Sequence, residues 1–212
     1  MPSEFKFKNP VTGKSWSCPI HCHRCEFIRS NGARCKNRTC FGSPLCWIHN
    51  LKTYHVKSQT STIPAAGRGL FARKDFGKGE WICPMLGENI STACARKRYF
   101  GYVTAPYTEE YENGRSIDCA CSRGIGSLAN ALFHVEGKMK GKLKGRTAHN
   151  AYTIVRPRDK RGRPRQIWLR ADKKIKNGDE IFLWYGKGDF KLENTHTTKK
   201  RRRKVADTRP CR

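Results

Sequence analysis

The sequence contains no long apolar run and has few acidic residues. No stretch of about 18 consecutive apolar residues occurs, and the start of the chain lacks the apolar core of a secretory signal. The sequence therefore predicts a protein that neither crosses a membrane nor is secreted. Long amphipathic helical patterns are almost absent as well, which disfavours a helical bundle and indicates a β-rich fold.

Acidic residues are scarce: the 212 residues include 17 Asp and Glu against 44 Lys and Arg, a formal net charge of +27. Residues 1–63 carry +8, residues 187–212 carry +7, and residues 138–165 alone carry +10. The rest of the chain is close to neutral. Basic segments attached to a nearly neutral core are typical of proteins that contact a polyanion, most simply nucleic acid.

Six of the eleven cysteines lie between Cys18 and Cys46, beside several histidines. This part of the chain has few aliphatic residues, so at its size it cannot form an apolar core, and a metal is expected to stabilise it. Because no secretion signal is present, the clustering indicates a metal site in a reducing compartment rather than a disulfide framework.

The spacing Cys25-x9-Cys35-x10-Cys46-x2-His49 supplies four ligands that can complete a tetrahedron around zinc. This spacing resembles the small WRC-type zinc module of plant regulatory proteins. Cys40 offers an alternative set with Cys35, Cys46 and His49. A second site also stays open, with these candidate ligands: Cys18, His21 and Cys22.

Composition divides the chain into five segments. Residues 1–17 are predicted to be an irregular lead-in, residues 18–52 a zinc-binding module, residues 53–62 a polar linker, residues 63–188 the main domain and residues 189–212 a basic tail.

The main domain shows short apolar or alternating runs separated by glycine-containing turns. Such runs predict strands at residues 70–72, 81–84, 149–155, 167–171 and 181–184. Residues 91–99 are expected to form a short helix capped by Ser91 or Thr92. The domain is therefore predicted to be mainly β, with short helices.

The stretch from Asn177 to Gly186 combines a turn, a strand and a tyrosine. Asn177-Gly178 indicates a turn with positive φ, and the unbroken apolar run that follows indicates a strand covered on both faces. Tyr185 stands where the chain must leave the sheet, so a rigid strand end aims its phenol. An aromatic ring that only packs at the strand end is the alternative interpretation.

The order and spacing of several motifs resemble those of the SET-domain family. They are Gly67-Arg-Gly-Leu-Phe-Ala, Gly77-Lys-Gly-Glu80, Ile117-Asp118, Gly126-Ser-Leu-Ala-Asn130, Asn150 and Gly178-Asp-Glu-Ile-Phe-Leu-Trp-Tyr185-Gly186. Over about residues 60–188, the resemblance implies a fold of small twisted sheets around a pseudoknot. It also implies transfer of a methyl group from S-adenosylmethionine to a lysine of a protein substrate.

The resemblance implies a role for individual residues. Gly67, Arg68 and Gly69 resemble the loop whose backbone surrounds the methionine part of the cofactor. Asn130 resembles the asparagine that holds the cofactor near its adenine and amino group. Tyr185 resembles the catalytic tyrosine.

The sequence also departs from the family pattern. Ala131 stands where the family usually has histidine, and a cysteine-rich zinc module after the domain is absent. Tyr107 and Tyr111 stand where family members place an aromatic of the lysine channel. Glu109 and Glu110, beside them, are candidates for an acidic approach that receives a basic peptide.

Two basic segments resemble known nucleic-acid and import signals. Residues 161–164, Arg-Gly-Arg-Pro, resemble an AT-hook, with an ordinary hairpin loop as the alternative. Residues 199–204, KKRRRK, resemble a nuclear-import signal, with a solubilising tail as the alternative. We expect residues 138–165 and 199–204 to contact nucleic acid.

These features together predict an S-adenosylmethionine-dependent protein-lysine N-methyltransferase with a structural zinc ion. The expected substrate is a histone tail, and the expected location is the nucleus or chromatin, or the host nucleus for a virus-encoded protein. The alternative is a non-catalytic SET-like zinc protein that binds nucleic acid or chromatin.

Overall fold

The computed structural model describes the chain in nine ranges. These are residues 4–8, 15–19, 22–39, 43–63, 66–98, 108–112, 114–131, 149–156 and 166–183. No helix within these ranges is long and apolar enough to cross a membrane.

The first two strands form an antiparallel hairpin, β1 (Glu4–Lys8) with β2 (Ser15–Pro19). Residues 1–17 therefore contain regular structure, contrary to the prediction of an irregular lead-in. Apolar and polar residues alternate in both segments, and the register places Phe5 opposite Cys18. This period of two favours strands, but each segment is too short for the pattern to stand out from the sequence.

The cysteine-rich region contains β3 (His23–Arg24), paired with β4 (Arg38–Thr39), and helix α1 (Trp47–Tyr54). His55 ends α1 in a left-handed conformation, with φ 53°. The next strand, β5 (Val56–Thr60), follows at once.

The prediction of a linker at residues 53–62 is therefore wrong. These residues contain the end of α1 and the whole of β5, which pairs with the main sheet. Val56 is fully buried, but the rest of β5 is polar, because this strand lies at the edge of the sheet. Its composition therefore resembles that of a linker.

The main sheet brings together strands from the whole length of the domain. Its order is β5, β6 (Arg68–Ala72), β14 (Glu180–Leu183), β12 (Ala151–Arg156), β13 (Gln166–Ala171) and β7 (Trp81–Met85), and β11 (Asn130–Ala131) also pairs with β14. The last strand in the described sequence therefore lies in the interior of the sheet. It runs antiparallel to β6 and parallel to β11 and β12.

All four residues of β14 are buried, and the last three of them belong to the apolar run that predicts a covered strand. The preceding turn contains Gly178 with φ 92°, whereas Asn177 does not adopt positive φ. Asn150 fixes β14 from the side. Its Nδ2 donates to the backbone oxygen of Glu180 at 2.9 Å, and its Oδ1 accepts from the backbone N–H of Phe182 at 2.8 Å.

A smaller sheet consists of β8 (Glu88–Ser91), β10 (Arg115–Asp118) and β9 (Thr108–Glu112), in that order. Helix α2 (Thr92–Arg98) follows β8, and the hydroxyl of Ser91 caps it by accepting from the N–H of Cys94 at 3.0 Å. The predicted helix and one of its two candidate caps are thus confirmed. Arg98 anchors α2 by donating to Asp118, which is 1% exposed, at 2.5 Å.

Candidate active site and metal centre

Three cysteines and one histidine of the N-terminal module meet in a buried cluster. The ligand atoms of Cys25, Cys35, Cys46 and His49 all lie within 4.8 Å of one another. The Nδ1 atom of His49 lies 3.5 Å from Sγ of Cys25 and 3.3 Å from Sγ of Cys46. The structure therefore brings together the four residues whose spacing predicts a zinc site.

This geometry suits a tetrahedral zinc ion. With Zn–S near 2.3 Å and Zn–N near 2.0–2.1 Å, a tetrahedron separates sulfur from nitrogen by about 3.6 Å. Two backbone N–H groups also point at the sulfurs, from Cys46 to Cys25 at 3.2 Å and from Asn37 to Cys35 at 3.4 Å. Such bonds favour thiolates, which is the form that ligates a metal.

Paired arginines hold the chain around this cluster. The Nε atom of Arg24 donates to the backbone oxygen of Cys35 at 2.8 Å, and the Nε atom of Arg34 donates to that of Cys25 at 2.9 Å. The ring of Phe27 stacks on His49 with 3.8 Å between centroids. The imidazole orientation is therefore fixed from outside the cluster.

The other cysteines differ from one another. Cys22, Cys94 and Cys121 are disulfide-bonded. Cys83 and Cys119 are free and buried, and burial raises the pKa of the Cys119 thiol to about 12. Cys40, the alternative ligand, lies outside the described residues.

The second group of predicted site residues lies where β6 begins. Gly67 has φ 72°, a conformation that favours glycine, and a Cβ atom there would meet no atom within 4 Å. The side chain of Arg68 turns to β5, where its Nη2 donates to the backbone oxygen of Ser58 at 2.7 Å. The loop therefore offers backbone atoms, not the guanidinium, to a ligand.

Asn130 joins this loop from β11. Its Nδ2 donates to the backbone oxygen of Arg68 at 3.1 Å and to Oε1 of Glu180 at 3.3 Å. Neither bond uses Oδ1, so the amide keeps an acceptor. The four residues that the family resemblance assigns to the cofactor are thus adjacent.

Glu180 is a candidate that the sequence interpretation did not single out. It is 3% exposed, yet its carboxylate accepts from the hydroxyl of Ser61 at 2.7 Å and from the N–H of Thr62 at 2.6 Å. The hydroxyl of Thr62 also donates to it, at 2.5 Å. A Cβ atom at Gly69 would overlap Oε1 of Glu180, so any larger residue there would displace this carboxylate. One sequence signal exists: an acid directly before a run of buried apolar residues.

The family of this chain follows from a comparison with protein-family models. The model of the SET domain matches residues 67–186. The chain belongs to the SET-domain family. This match spans more than half of the chain and contains the loop at β6, Asn130 and the whole of β14. SET domains form a family of protein-lysine methyltransferases, and the expected mainly-β SET fold is confirmed.

Solved structures similar to this SET domain include chains of Polycomb repressive complex 2. One, from Chaetomium thermophilum in an autoinhibited conformation bound to S-adenosylmethionine, is 23% identical with a TM-score of 0.48, covering 63% of this chain and 15% of that one. Another, bound to GSK126, is 24% identical with a TM-score of 0.48. That match covers 62% of this chain and 16% of the other. The chain thus spans less than a fifth of the length of these proteins. A search of curated protein sequences found no significant match.

Several predicted residues of the SET domain lie outside the described residues. Strand β14 ends at Leu183, two residues before Tyr185, and Tyr107 precedes β9 by one residue. The same holds for most of the basic segment 138–165 and for all of 199–204. Ala131, at the position of the usual histidine, is buried and pairs with Leu183.

Strand β9 places the predicted substrate residues on two faces. Glu110 is exposed, whereas the hydroxyl of Tyr111 donates to Oδ1 of Asn89 at 3.2 Å. The carboxylate of Glu109 bonds to the hydroxyl of Thr153 and is buried, with Oε2 unpaired within the described residues. Glu109 therefore adds no surface charge to an acidic approach, contrary to the prediction, because strand residues alternate between faces.

Replacing Glu109 with glutamine is expected to change how stability depends on pH. Burial raises the pKa of the Glu109 carboxyl, and the bond from Thr153 offsets this only in part. An acid with a raised pKa in the fold contributes stability below its unfolded pKa, near 4.3, and this contribution is lost as pH rises through the folded pKa. Above that window, E109Q should be more stable than wild type by on the order of 1 kcal/mol.

Urea unfolding across a pH series would measure this difference. The matched control is Glu110→Gln, which removes the same charge from the exposed face of the same strand. E110Q should not reproduce the change in stability that E109Q causes. If E109Q and wild type keep a constant difference at every pH, the carboxyl of Glu109 does not titrate abnormally.

Proposed function

We propose that this SET domain is an S-adenosylmethionine-dependent protein-lysine N-methyltransferase that acts on histone tails. The observation that carries the proposal is the junction of Asn130 with the loop at Gly67–Gly69, through the 3.1 Å bond to the backbone of Arg68. This junction lies beside β14, the strand that leads to Tyr185. The family match supports it, since residues 67–186 include every member of this group.

The residues at the junction suit the polar end of the cofactor. When bound, S-adenosylmethionine supplies an activated methyl group on a positively charged sulfur. The open space beside Gly67 leaves room for a ligand against the backbone. The Oδ1 atom of Asn130 can accept a hydrogen bond from an ammonium group, because its Nδ2 is already bound to protein.

The reaction requires little acid or base catalysis from the protein. An in-line displacement needs the lysine nitrogen, the methyl carbon and the sulfur aligned at near-contact distance. The nitrogen must be neutral, and an apolar channel next to a cation lowers the pKa of lysine from about 10.4. We assign the hydroxyl of Tyr185 the role of orienting that nitrogen.

The same proposal includes zinc and nucleic acid. The cluster of Cys25, Cys35, Cys46 and His49 would hold a structural zinc ion, since all four ligands are protein side chains. The basic segments 138–165 and 199–204 would contact nucleic acid and keep the enzyme at chromatin in the nucleus. Histone tails are the lysine-rich chains most accessible at such a location.

Methyl transfer is tested with radiolabelled S-adenosylmethionine and zinc-loaded protein. Core histones, nucleosomes and free ribosomal proteins serve as substrates, and the labelled lysine is then mapped. Label on histones supports the proposal, whereas label on ribosomal proteins alone would contradict the substrate. Calorimetric titration with S-adenosylmethionine is an independent test of cofactor binding. An absence of binding would favour the alternative, a non-catalytic SET-like zinc protein that binds nucleic acid or chromatin.

Replacing Tyr185 with phenylalanine is expected to lower kcat for methyl transfer about 10²- to 10³-fold. Removal of one preorganised hydroxyl that acts in the transition state has an effect of this size. The affinity for S-adenosylmethionine, measured by calorimetry, should change little. Tyr152→Phe is the matched control, since Tyr152 lies on β12 and is only half-buried. Equal kcat for Y185F and wild type would refute the assigned role.

A further inference from the structure

One surface of the main sheet carries a ladder of aromatic and cationic side chains. Along β13 the buried residues alternate with Gln166, Trp168 and Arg170, which face outward. The register places Trp168 opposite Ile154 and Gln166 opposite Arg156 on β12. These outward side chains are half-buried or exposed, and Ile154 is 36% exposed.

Two tryptophans and two guanidinium groups contact one another on this surface. The Cζ atom of Arg156 lies 4.6 Å from the ring centroid of Trp168 and 5.5 Å from that of Trp81. The Cζ atom of Arg170 lies 5.2 Å from the ring centroid of Trp81. The two indole rings meet edge to face, with 6.2 Å between centroids. We call Trp81, Ile154, Arg156, Trp168 and Arg170 the Arg156 face.

The Arg156 face has positive charge without acidic partners among the described residues. The ion pairs in that part of the chain involve Lys74, Arg98, His149 and Lys174, and neither arginine of the face. The Nε atom of Arg170 is bound to the backbone oxygen of Gly79 at 2.6 Å. Arg156 contacts both indoles and is exposed, so its guanidinium remains accessible from solvent.

We propose that the Arg156 face binds single-stranded nucleic acid. A guanidinium plane supported by an aromatic ring is a platform on which an unpaired base stacks, and its N–H groups can reach a phosphate at the same time. Ile154 and Trp168 add apolar surface to the platform. A polyanion also matches the charge of the face and of the whole chain, which is +27.

Single strands fit this surface better than duplexes. Direct readout of a duplex requires an element that enters a groove, whereas the Arg156 face belongs to consecutive strands of a broad sheet. Paired bases are stacked on each other and cannot cover a guanidinium.

This inference deepens the nucleic-acid contact included in the proposed function, and it does not depend on methyl transfer. Fluorescence anisotropy with the full chain measures binding to a labelled oligothymidylate, to the RNA of matching sequence and to the corresponding duplex. We expect Arg156→Gln to weaken binding to both single strands about tenfold, in a manner that persists at high salt. Activity on free histones should stay at the wild-type level.

Three comparisons separate stacking from charge. Arg156→Lys keeps the positive charge but lacks the planar guanidinium group. It should therefore bind single strands as weakly as R156Q. Lys176→Gln removes one charge from an exposed turn elsewhere and should bind nearly as tightly as wild type. Quenching of tryptophan fluorescence by the oligonucleotide should be reduced in Trp168→Phe but not in Trp47→Phe, whose indole is 68% exposed.

Several results would overturn the inference. If R156Q binds single strands as tightly as wild type, Arg156 takes no part in binding. If R156K binds as tightly as wild type, the charge of this side chain matters and its planar shape does not. If the duplex binds more tightly than the single strands and responds to the variants in the same way, the face contacts the phosphate backbone and does not stack on bases. If methyl transfer fails while R156Q still loses single-strand affinity, the proposed enzyme activity is wrong and the Arg156 face stands.

Discussion

Chelation of zinc is expected to unfold the N-terminal Cys/His module while the main sheet stays folded. Within the described residues, the buried cluster there consists of Cys25, Cys35 and Cys46, with Phe27 and Leu45 packed against it. Without a metal, this cluster offers almost no apolar burial to offset chain entropy. Structural zinc in small modules contributes an apparent free energy of about 10–16 kcal/mol, which is as large as the whole stability of an ordinary domain.

Hydrogen exchange and metal analysis measure this effect. After chelation, amides of residues 25–50 should lose protection, whereas those of β13 and β14 should keep it. Cys46→Ala should reduce bound zinc from about one equivalent per chain to near zero. Cys83→Ala is the matched control, because Cys83 is equally buried but belongs to the core of the main sheet.

Cys40 provides the critical comparison for the ligand set. If the four clustered residues hold the metal, Cys40→Ala retains zinc. Loss of zinc in C40A, together with retention in Cys25→Ala, would instead support the alternative set.

Replacing Glu180 is expected to have the second largest effect. Its buried carboxylate accepts four hydrogen bonds, from Ser61, Thr62 and Asn130. Glu180→Ala leaves these donors without an acceptor, and we expect a loss of roughly 3–5 kcal/mol in the free energy of unfolding. For a chain of this size, the midpoint of thermal unfolding should fall by about 10 °C.

Glu180→Gln tests positioning separately from stability. Glutamine keeps the size of the side chain but turns one acceptor into a donor, so the bonds to Asn130 and to the segment before the loop cannot all form. At a temperature where the variant is folded, we expect KM for S-adenosylmethionine to rise about tenfold, with a smaller change in kcat. A purely structural role would lower the amount of active protein without changing KM.

The matched control is Glu80→Gln in the turn before β7. The carboxylate of Glu80 also has donors, from Lys74 and the N–H of Gly77, but its side chain is 38% exposed. Solvent can replace these bonds, so we expect a change of at most about 1 kcal/mol and unaltered KM. If E180Q binds S-adenosylmethionine like wild type in calorimetry, Glu180 does not position the site.

The parts of the fold that sequence predicts best are those with a strong local pattern. The buried run of β14, the alternation of β13 and the Ser91 cap each follow from residues a few positions apart. Strand β5 was missed because an edge strand has one buried residue, Val56, among polar ones. Local composition does not distinguish that pattern from a linker.

The candidate site was predicted in part for the same reason. Loop glycines and Asn130 belong to a recognisable order of motifs, so their meeting at Arg68 is consistent with expectation. The role of Glu180 depends on partners more than a hundred residues away, which no local pattern encodes. The burial of the Glu109 carboxylate was not predicted, because a strand segment with several acidic residues suggests an exposed surface. Side chains alternate between the two faces of a strand, and that of Glu109 lies on the inner face.

The position of β14 in the sheet also determines the order in which the molecule can be completed. The bond between Ser61 and Glu180 joins residues 119 positions apart, and β14 separates β6 from β12, which were synthesised earlier. Contacts of such long range form late, because the entropy of loop closure opposes them until the strand docks. A nascent chain on the ribosome therefore holds an incomplete sheet until nearly the whole domain has emerged. The bonds from Ser61 and Thr62 to Glu180 can therefore form only after β14 has docked.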